Sequence, residues 1–173
     1  MKAIIFGYPG IGKSTLARNC KDFIDLESSV FKIDGERDPN WYKVYVDMAI
    51  HIANQDRIVF MSTHPWTRDY IATKENLDIP VLIVYPSIDL KDFWNLKVSI
   101  RYTNDPNQKN LTAMNKVKND YDKDIKGLEA DTRFHHLVLK DQKYKLDDAI
   151  KEYLFKLSLD NTPTTNILEV YAE

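Results

Sequence analysis

The chain has 173 residues, 43% of them apolar, which is enough for one good core and points to a single domain. Its 24 basic and 26 acidic side chains leave a formal charge of −2, so there is no bulk field for nucleic acid or an anionic membrane, and a polyanionic partner would need a local patch. The single cysteine, Cys20, excludes an internal disulfide and fits a reducing, cytoplasmic setting, and no apolar run is long enough to span a bilayer.

Residues 3–6, Ala-Ile-Ile-Phe, are a short apolar run that predicts a buried parallel strand. Gly7, Tyr8, Pro9, Gly10, Ile11, Gly12, Lys13, Ser14 and Thr15 follow, fitting G-x-x-x-x-G-K-[S/T], and residues 14–19 read as the first turns of a helix. Strand, glycine loop and helix in that order make a phosphate-binding loop. The glycines let successive backbone N–H groups converge on one anion, and the helix start adds partial positive charge. Lys13 is then expected to reach the β- and γ-phosphates of ATP or another triphosphate, with the Ser14 hydroxyl on Mg²⁺. A plain surface turn would have no use for the Lys13–Ser14 pair.

The apolar run at 23–26 leads into Asp25, Leu26, Glu27, Ser28 and Ser29. A carboxylate beside a γ-phosphate can take a proton from an attacking hydroxyl or hold Mg²⁺, which makes Asp25 the first candidate and Glu27 the alternate. Ser28 beside them is a candidate contact for the acceptor. An acceptor that is itself an ionised phosphate needs no base and leaves the carboxylate only metal binding and positioning. Trp41, Val44, Tyr45, Met48, Ala49 and Ile52 next give one apolar helical face, started by Asp38-Pro39-Asn40.

The strand at 58–61 runs into Ser62, Thr63, His64, Pro65, Trp66, Thr67 and Arg68. No aspartate stands at that strand end, where many nucleotide hydrolases hold their metal, so the metal role falls to Asp25. Ser62, Thr63 and His64 can hydrogen-bond an acceptor, and Arg68 can pair with an incoming phosphate. A helix cap or a core histidine is the competing expectation for His64.

A helix at 67–74, a strand at 81–85 and a helix at 89–102 come next. Lys97 and Arg101, four apart, share a face of the last of these. Between Lys91 and Lys126 there are eight basic and five acidic residues, an excess that suits a lid over residues 89–128 closing cations over phosphates. Arg101 would offer its planar fork to the transferring group and Lys97 would face the acceptor, with residues 102–109 as the mobile tip. Helices at 111–125 and 146–157 flank a last strand at 136–139, after which Tyr144 is placed to stack on adenine. Residues 159–173 read as a tail, poorly ordered or docked.

Five strands alternating with helices predict a doubly wound α/β domain with a mostly parallel sheet and its ligand beyond the carboxyl ends of the strands. A GTPase is excluded, because Asn115-Lys116-Val117-Lys118 lacks the carboxylate of the guanine motif N-K-x-D.

The loop at 7–15, the short first helix, residues 23–29, the helix after Asp38-Pro39-Asn40-Trp41, the Met61-Ser62-Thr63-His64 strand end with Arg68, Val84-Tyr85-Pro86 and Leu137-Val138-Leu139-Lys140 together resemble a family. It comprises small P-loop proteins of Firmicutes phages and prophages, described as adenylate-kinase-like or nucleotide-kinase-like, and the resemblance covers residues 1–158. It implies a P-loop NTPase of the nucleoside-monophosphate-kinase type: a three-layer sandwich, a five-stranded parallel sheet with helices on both faces, and a helical lid. It also implies ATP and Mg²⁺ as cofactors, Asp25 and the Ser62–His64 end facing the acceptor, Arg101 in the lid, and residence in a host cytoplasm. The region after Arg101 lacks the second arginine and the D-G-[aromatic]-P-R sequence of true adenylate kinases, so the resemblance does not extend to adenylate as acceptor. The expected function is phosphoryl transfer from Mg-ATP to a nucleotide or nucleotide-like small molecule. The alternatives are a kinase acting on a polynucleotide 5′-hydroxyl or a modified DNA base, and an ATP-binding switch with little turnover.

Overall fold

A computed structural model describes residues 1–34, 36–160 and 168–170. The chain divides into two compact units, Met1–Gly7 with Lys13–Ile83, and Tyr8–Gly12 with Val84–Glu173.

The first unit contains β1 (Ala3–Gly7), α1 (Lys13–Asn19), β2 (Phe23–Asp25) and a 3-10 turn at Ser28–Phe31. A short hairpin, β3 (Lys32–Ile33) with β4 (Glu36–Arg37), leads to α2 (Trp41–Ala53), β5 (Ile58–Met61) and α3 (Pro65–Ala72). β1 and β5 pair in parallel from Ala3 opposite Ile58 to Phe6 opposite Met61, and β2 lies along the other edge of β5 with Asp25 opposite Phe60. Every residue of β1 and β5 is buried, which explains why both read as unbroken apolar runs rather than alternating ones. The Ile4 N–H donates to Pro80 O at 2.9 Å, bringing β6 (Val81–Pro86) to the free edge of β1.

Two sequence expectations change in this unit. α2 buries Trp41, Tyr45, Val46, Ala49 and Ala53, while Val44 and Met48 of the expected apolar face are exposed. The two stripes share Trp41, Tyr45 and Ala49, and packing turns the helix so that Val46 and Ala53 rather than Val44 and Met48 complete the buried face. α3 begins at Pro65 rather than 67, because proline's fixed φ suits the first helical position.

The second unit holds the end of β6, a 3-10 turn at Ile88–Leu90, α4 (Lys91–Asn104), α5 (Gln108–Glu129), β7 (His135–Leu139), α6 (Leu146–Leu159) and β8 (Leu168–Val170). Ser87 N–H donates to Leu139 O at 2.9 Å, and β8 pairs in parallel with β7. The expected mobile tip at 102–109 is a correction. Residues 102–104 complete α4, and the turn that follows is fastened. Asn107 Oδ1 accepts from the Asn110 N–H at 2.8 Å as the cap of α5, and the buried Asn110 side chain donates to Asp105 O at 2.8 Å. Of the expected tail, residues 168–170 form a strand, and 161–167 and 171–173 lie outside the described residues.

The strand order is β2-β5-β1-β6-β7-β8, and the sheet is mostly parallel. β1 ends at Gly7, where the chain enters its glycine loop.

Candidate functional site

The loop after β1 buries side chains and is tied through its backbone, the Tyr8 N–H donating to Val84 O at 2.9 Å. Tyr8 and Ile11 are buried, Tyr8 packing edge-on against Tyr121 with ring centroids 5.9 Å apart. Gly10 and Gly12 have φ of +89° and +109°, a region that other residues rarely adopt. At Gly10 the need is doubled, since an added Cβ would lie 3.0 Å from Trp94 Nε1, whereas at Gly12 it would meet only Leu146, at 3.8 Å.

Two side chains fasten the outward carbonyls of this loop. Trp94 Nε1 donates to Pro9 O at 2.7 Å, and the Tyr144 hydroxyl donates to Ile11 O at 2.8 Å. In a trans peptide the N–H points away from the C=O, so holding Pro9 O and Ile11 O aims the N–H groups of Gly10 and Gly12 the opposite way. Amide donors fixed before an anion arrives need no reorganisation to bind it. The two rings lie nearly parallel with centroids 6.3 Å apart. Lys97 Nζ donates to the Tyr144 hydroxyl at 2.7 Å and lies 4.5 Å and 4.9 Å from the two ring centroids. Burial lowers the Lys97 ammonium to about 8 and pushes the Tyr144 phenol upward, so the phenol stays protonated. The structure therefore engages Tyr144 and Lys97, expected on adenine and acceptor, with the loop backbone and each other. Trp94 was not a sequence candidate, because helical periodicity does not distinguish a core tryptophan from one that braces a loop.

In the first unit, Lys13 Nζ donates to Gly7 O at 2.7 Å, and Ser14 Oγ donates to Asp25 Oδ2 at 2.5 Å. The pairing of β2 with β5 carries Asp25 to this meeting with Ser14. One hydroxyl and one carboxylate fit Mg²⁺, which keeps most of its shell in water and phosphate oxygens. Among the described residues no group of three or more His, Cys, Asp or Glu could hold a metal ion.

Tyr45 ties the ends of β2 and β5 together. Its hydroxyl donates to Leu26 O at 2.7 Å and accepts from the Ser62 N–H at 3.0 Å, and burial pushes the phenol up to about 12. Ser62 Oγ is buried with no hydrogen-bond partner among the described residues. His64 stands edge-on to Trp41 at 5.3 Å and 5.0 Å from Trp66, a ring that is 57% exposed. Arg68 Nε turns back to Thr63 O at 3.4 Å. Glu27 precedes the 3-10 turn, and Ser28 Oγ accepts from Arg37 Nη2 at 3.1 Å, with the Arg37 guanidinium 4.1 Å over Trp41. Arg37 was missed in the sequence because its hairpin strands, two residues each, show no periodicity. Arg101 sits in the last turn of α4, half-buried, and Thr15 is exposed in the first turn of α1.

No family model and no curated protein matches the chain. Among solved structures it is similar to shikimate kinase from Bacteroides thetaiotaomicron, with a TM-score of 0.50 and 11% identity over 90% of this chain and 97% of that one. The likeness is one of fold, an α/β chain with a mostly parallel sheet. A gluconokinase from Sinorhizobium meliloti 1021 gives a TM-score of 0.49 at 10% identity, covering 91% of each chain. Among the described residues no helix is long and apolar enough to cross a membrane.

Proposed function

We propose that this chain is an Mg-ATP-dependent kinase that transfers the γ-phosphoryl group to a nucleotide or nucleotide-like small molecule. The observation that carries the proposal is the pair of pinned carbonyls, Pro9 O and Ile11 O, behind two glycines of positive φ, together with Ser14 Oγ on Asp25. A loop shaped only by turn propensity would need neither brace nor carboxylate.

ATP with Mg²⁺ supplies the transferable group and the metal that offsets its charge. The chain's own residues do the rest. The amides of Gly10 and Gly12 and the Lys13 ammonium bind phosphate oxygens, with Lys13 exchanging its contact with Gly7 O for the ligand. Ser14 and Asp25 would hold the metal, and where the acceptor is a hydroxyl Asp25 would be the group that receives its proton. An acceptor oxygen bonds to the γ-phosphorus as the bridge to the β-phosphate breaks, and ADP leaves with the bridging electrons. Arg101 is the proposed cation for charge building on the transferring group.

For the acceptor, support comes from the polar and aromatic groups around the ends of β2 and β5. Ser28, Ser62, Thr63 and His64 offer hydrogen-bonding atoms, and beside His64 the Trp66 ring is exposed. Ring surface beside hydrogen-bonding groups suits a planar heterocycle. The test is ADP release from ATP in the presence of a panel of nucleosides, nucleoside monophosphates and deoxynucleoside monophosphates. Acceptor-dependent release that disappears in Lys13→Ala is expected. Turnover that no acceptor raises above the bare ATPase rate would overturn the proposal.

A further inference from the structure

Lys97 lies in a setting unusual for a helix-surface lysine. It emerges from α4 toward two aromatic rings, donates a hydrogen bond to the Tyr144 hydroxyl, and has no carboxylate within ion-pairing distance among the described residues. The other lysine of this helix, Lys91, pairs with Asp122 at 2.7 Å. Lys97 is instead two hydrogen bonds from a carbonyl of the phosphate loop.

We propose that Lys97 is a positioning residue for nucleotide binding: through the Tyr144 hydroxyl, its ammonium holds the Ile11–Gly12 peptide plane with the amide turned toward the phosphates, and binding weakens when that charge is lost. The inference rests on the reading of residues 7–15 as a triphosphate site. A charged donor polarises the hydroxyl it binds, and the hydroxyl then donates more strongly to the carbonyl beyond it. A neutral amine at the same place polarises the hydroxyl less and leaves the loop tip without its nearby positive charge.

The charge is also one that pH can remove. Burial alone brings the Lys97 ammonium from 10.5 to about 8, with no charged neighbour adding to the effect. Tyr144 faces it from the connection between β7 and α6 and stays protonated. Arg101 follows one turn later on its own helix, and Lys91 is held by Asp122. In the free protein the ammonium is present at neutral pH and lost as pH rises through about 8. A bound polyphosphate favours the charged form, so binding near that pH takes up protons from solvent.

Calorimetric titration of Mg-ATP into the full chain, from about pH 7 to about pH 9, tests this. The wild-type affinity is expected to fall roughly tenfold over that span. Lys97→Arg, which keeps its charge, should flatten the profile, and Lys97→Met should sit near the weak high-pH value throughout. Tyr144→Phe should lose the step although its lysine remains. Titrations in two buffers of different ionisation heat should reveal proton uptake at about pH 8 in the wild type and none in Lys97→Met. A flat wild-type profile, or wild-type affinity in Lys97→Met at neutral pH, would overturn the inference. Absence of ATP binding at every pH would bring down the triphosphate site itself, a result distinct from binding that is tight and independent of pH. Should Lys97→Met fail to fold, the wild-type profile against Lys97→Arg decides alone.

Discussion

Asp25 and Tyr45 show two ways in which a single side chain supports the site. Asp25 contributes charge: Ser14 Oγ reaches it at 2.5 Å, and an amide in its place would keep a hydrogen bond while losing the anion proposed to draw Mg²⁺. Asp25→Asn should leave nucleotide affinity within about threefold and lower acceptor-dependent turnover by about a hundredfold or more, read as ADP release at several Mg²⁺ concentrations. Tyr45 contributes shape, since one buried hydroxyl satisfies Leu26 O and the Ser62 N–H at once. Tyr45→Phe leaves both backbone groups without that partner and should cost about 1–3 kcal/mol in urea unfolding. A change below about 0.5 kcal/mol would show that solvent replaces the hydroxyl at no expense.

At the scale of elements, the glycine loop is held by distant parts of the chain, Trp94 on α4 and Tyr144 before α6. Gly10→Ala and Gly12→Ala both force alanine into positive φ, at about 1–3 kcal/mol each. Only Gly10→Ala also presses on Trp94. It should therefore be the more damaging of the two in thermal unfolding and should change tryptophan fluorescence, while Gly12→Ala leaves the emission near that of the wild type. Equal effects on both readouts would mean that the Trp94 contact does not shape the loop.

The sequence already displayed much of this architecture. β1, β5, β6 and β7 are apolar runs long enough to be unmistakable, and the order of strand, glycine loop and helix over residues 3–19 was readable from residue types alone. The β3–β4 hairpin and β8 were not visible, since strands of two or three residues have no period to detect. The meeting of Ser14 with Asp25 was foreseeable, because both flank a common site in a parallel sheet. The braces were not. Trp94 and Tyr144 reach Pro9 O and Ile11 O across 85 and 133 residues of sequence, and nothing local marks a side chain as the partner of a remote carbonyl.

For the molecule as a whole, charge and titration give bulk predictions. The lysine excess between residues 91 and 126 is partly spent inside the second unit, in Lys91–Asp122 and Lys116–Asp124 pairs. With a net charge of −2, acceptor turnover should change little with salt, and oligonucleotides should accept no label. Efficient labelling of an oligonucleotide, falling steeply with salt, would move the acceptor to polynucleotide. Burial, with the neighbouring His136 adding to it, holds the His135 imidazole below its usual 6.5. The unfolded chain therefore takes up a proton that the folded chain resists, and stability should decline as pH falls below about 6.5. Thermal unfolding of wild type and His135→Gln at neutral and mildly acid pH checks this, the variant losing less on acidification.

The most direct test of the central claim is calorimetric titration of Mg-ATP into the wild-type chain and into Lys13→Ala at neutral pH. Saturable binding at one site per chain, weakened about a hundredfold in the variant, is the predicted result. Failure of both ATP and GTP to bind with Mg²⁺ present, or equal affinity in the two proteins, would contradict it.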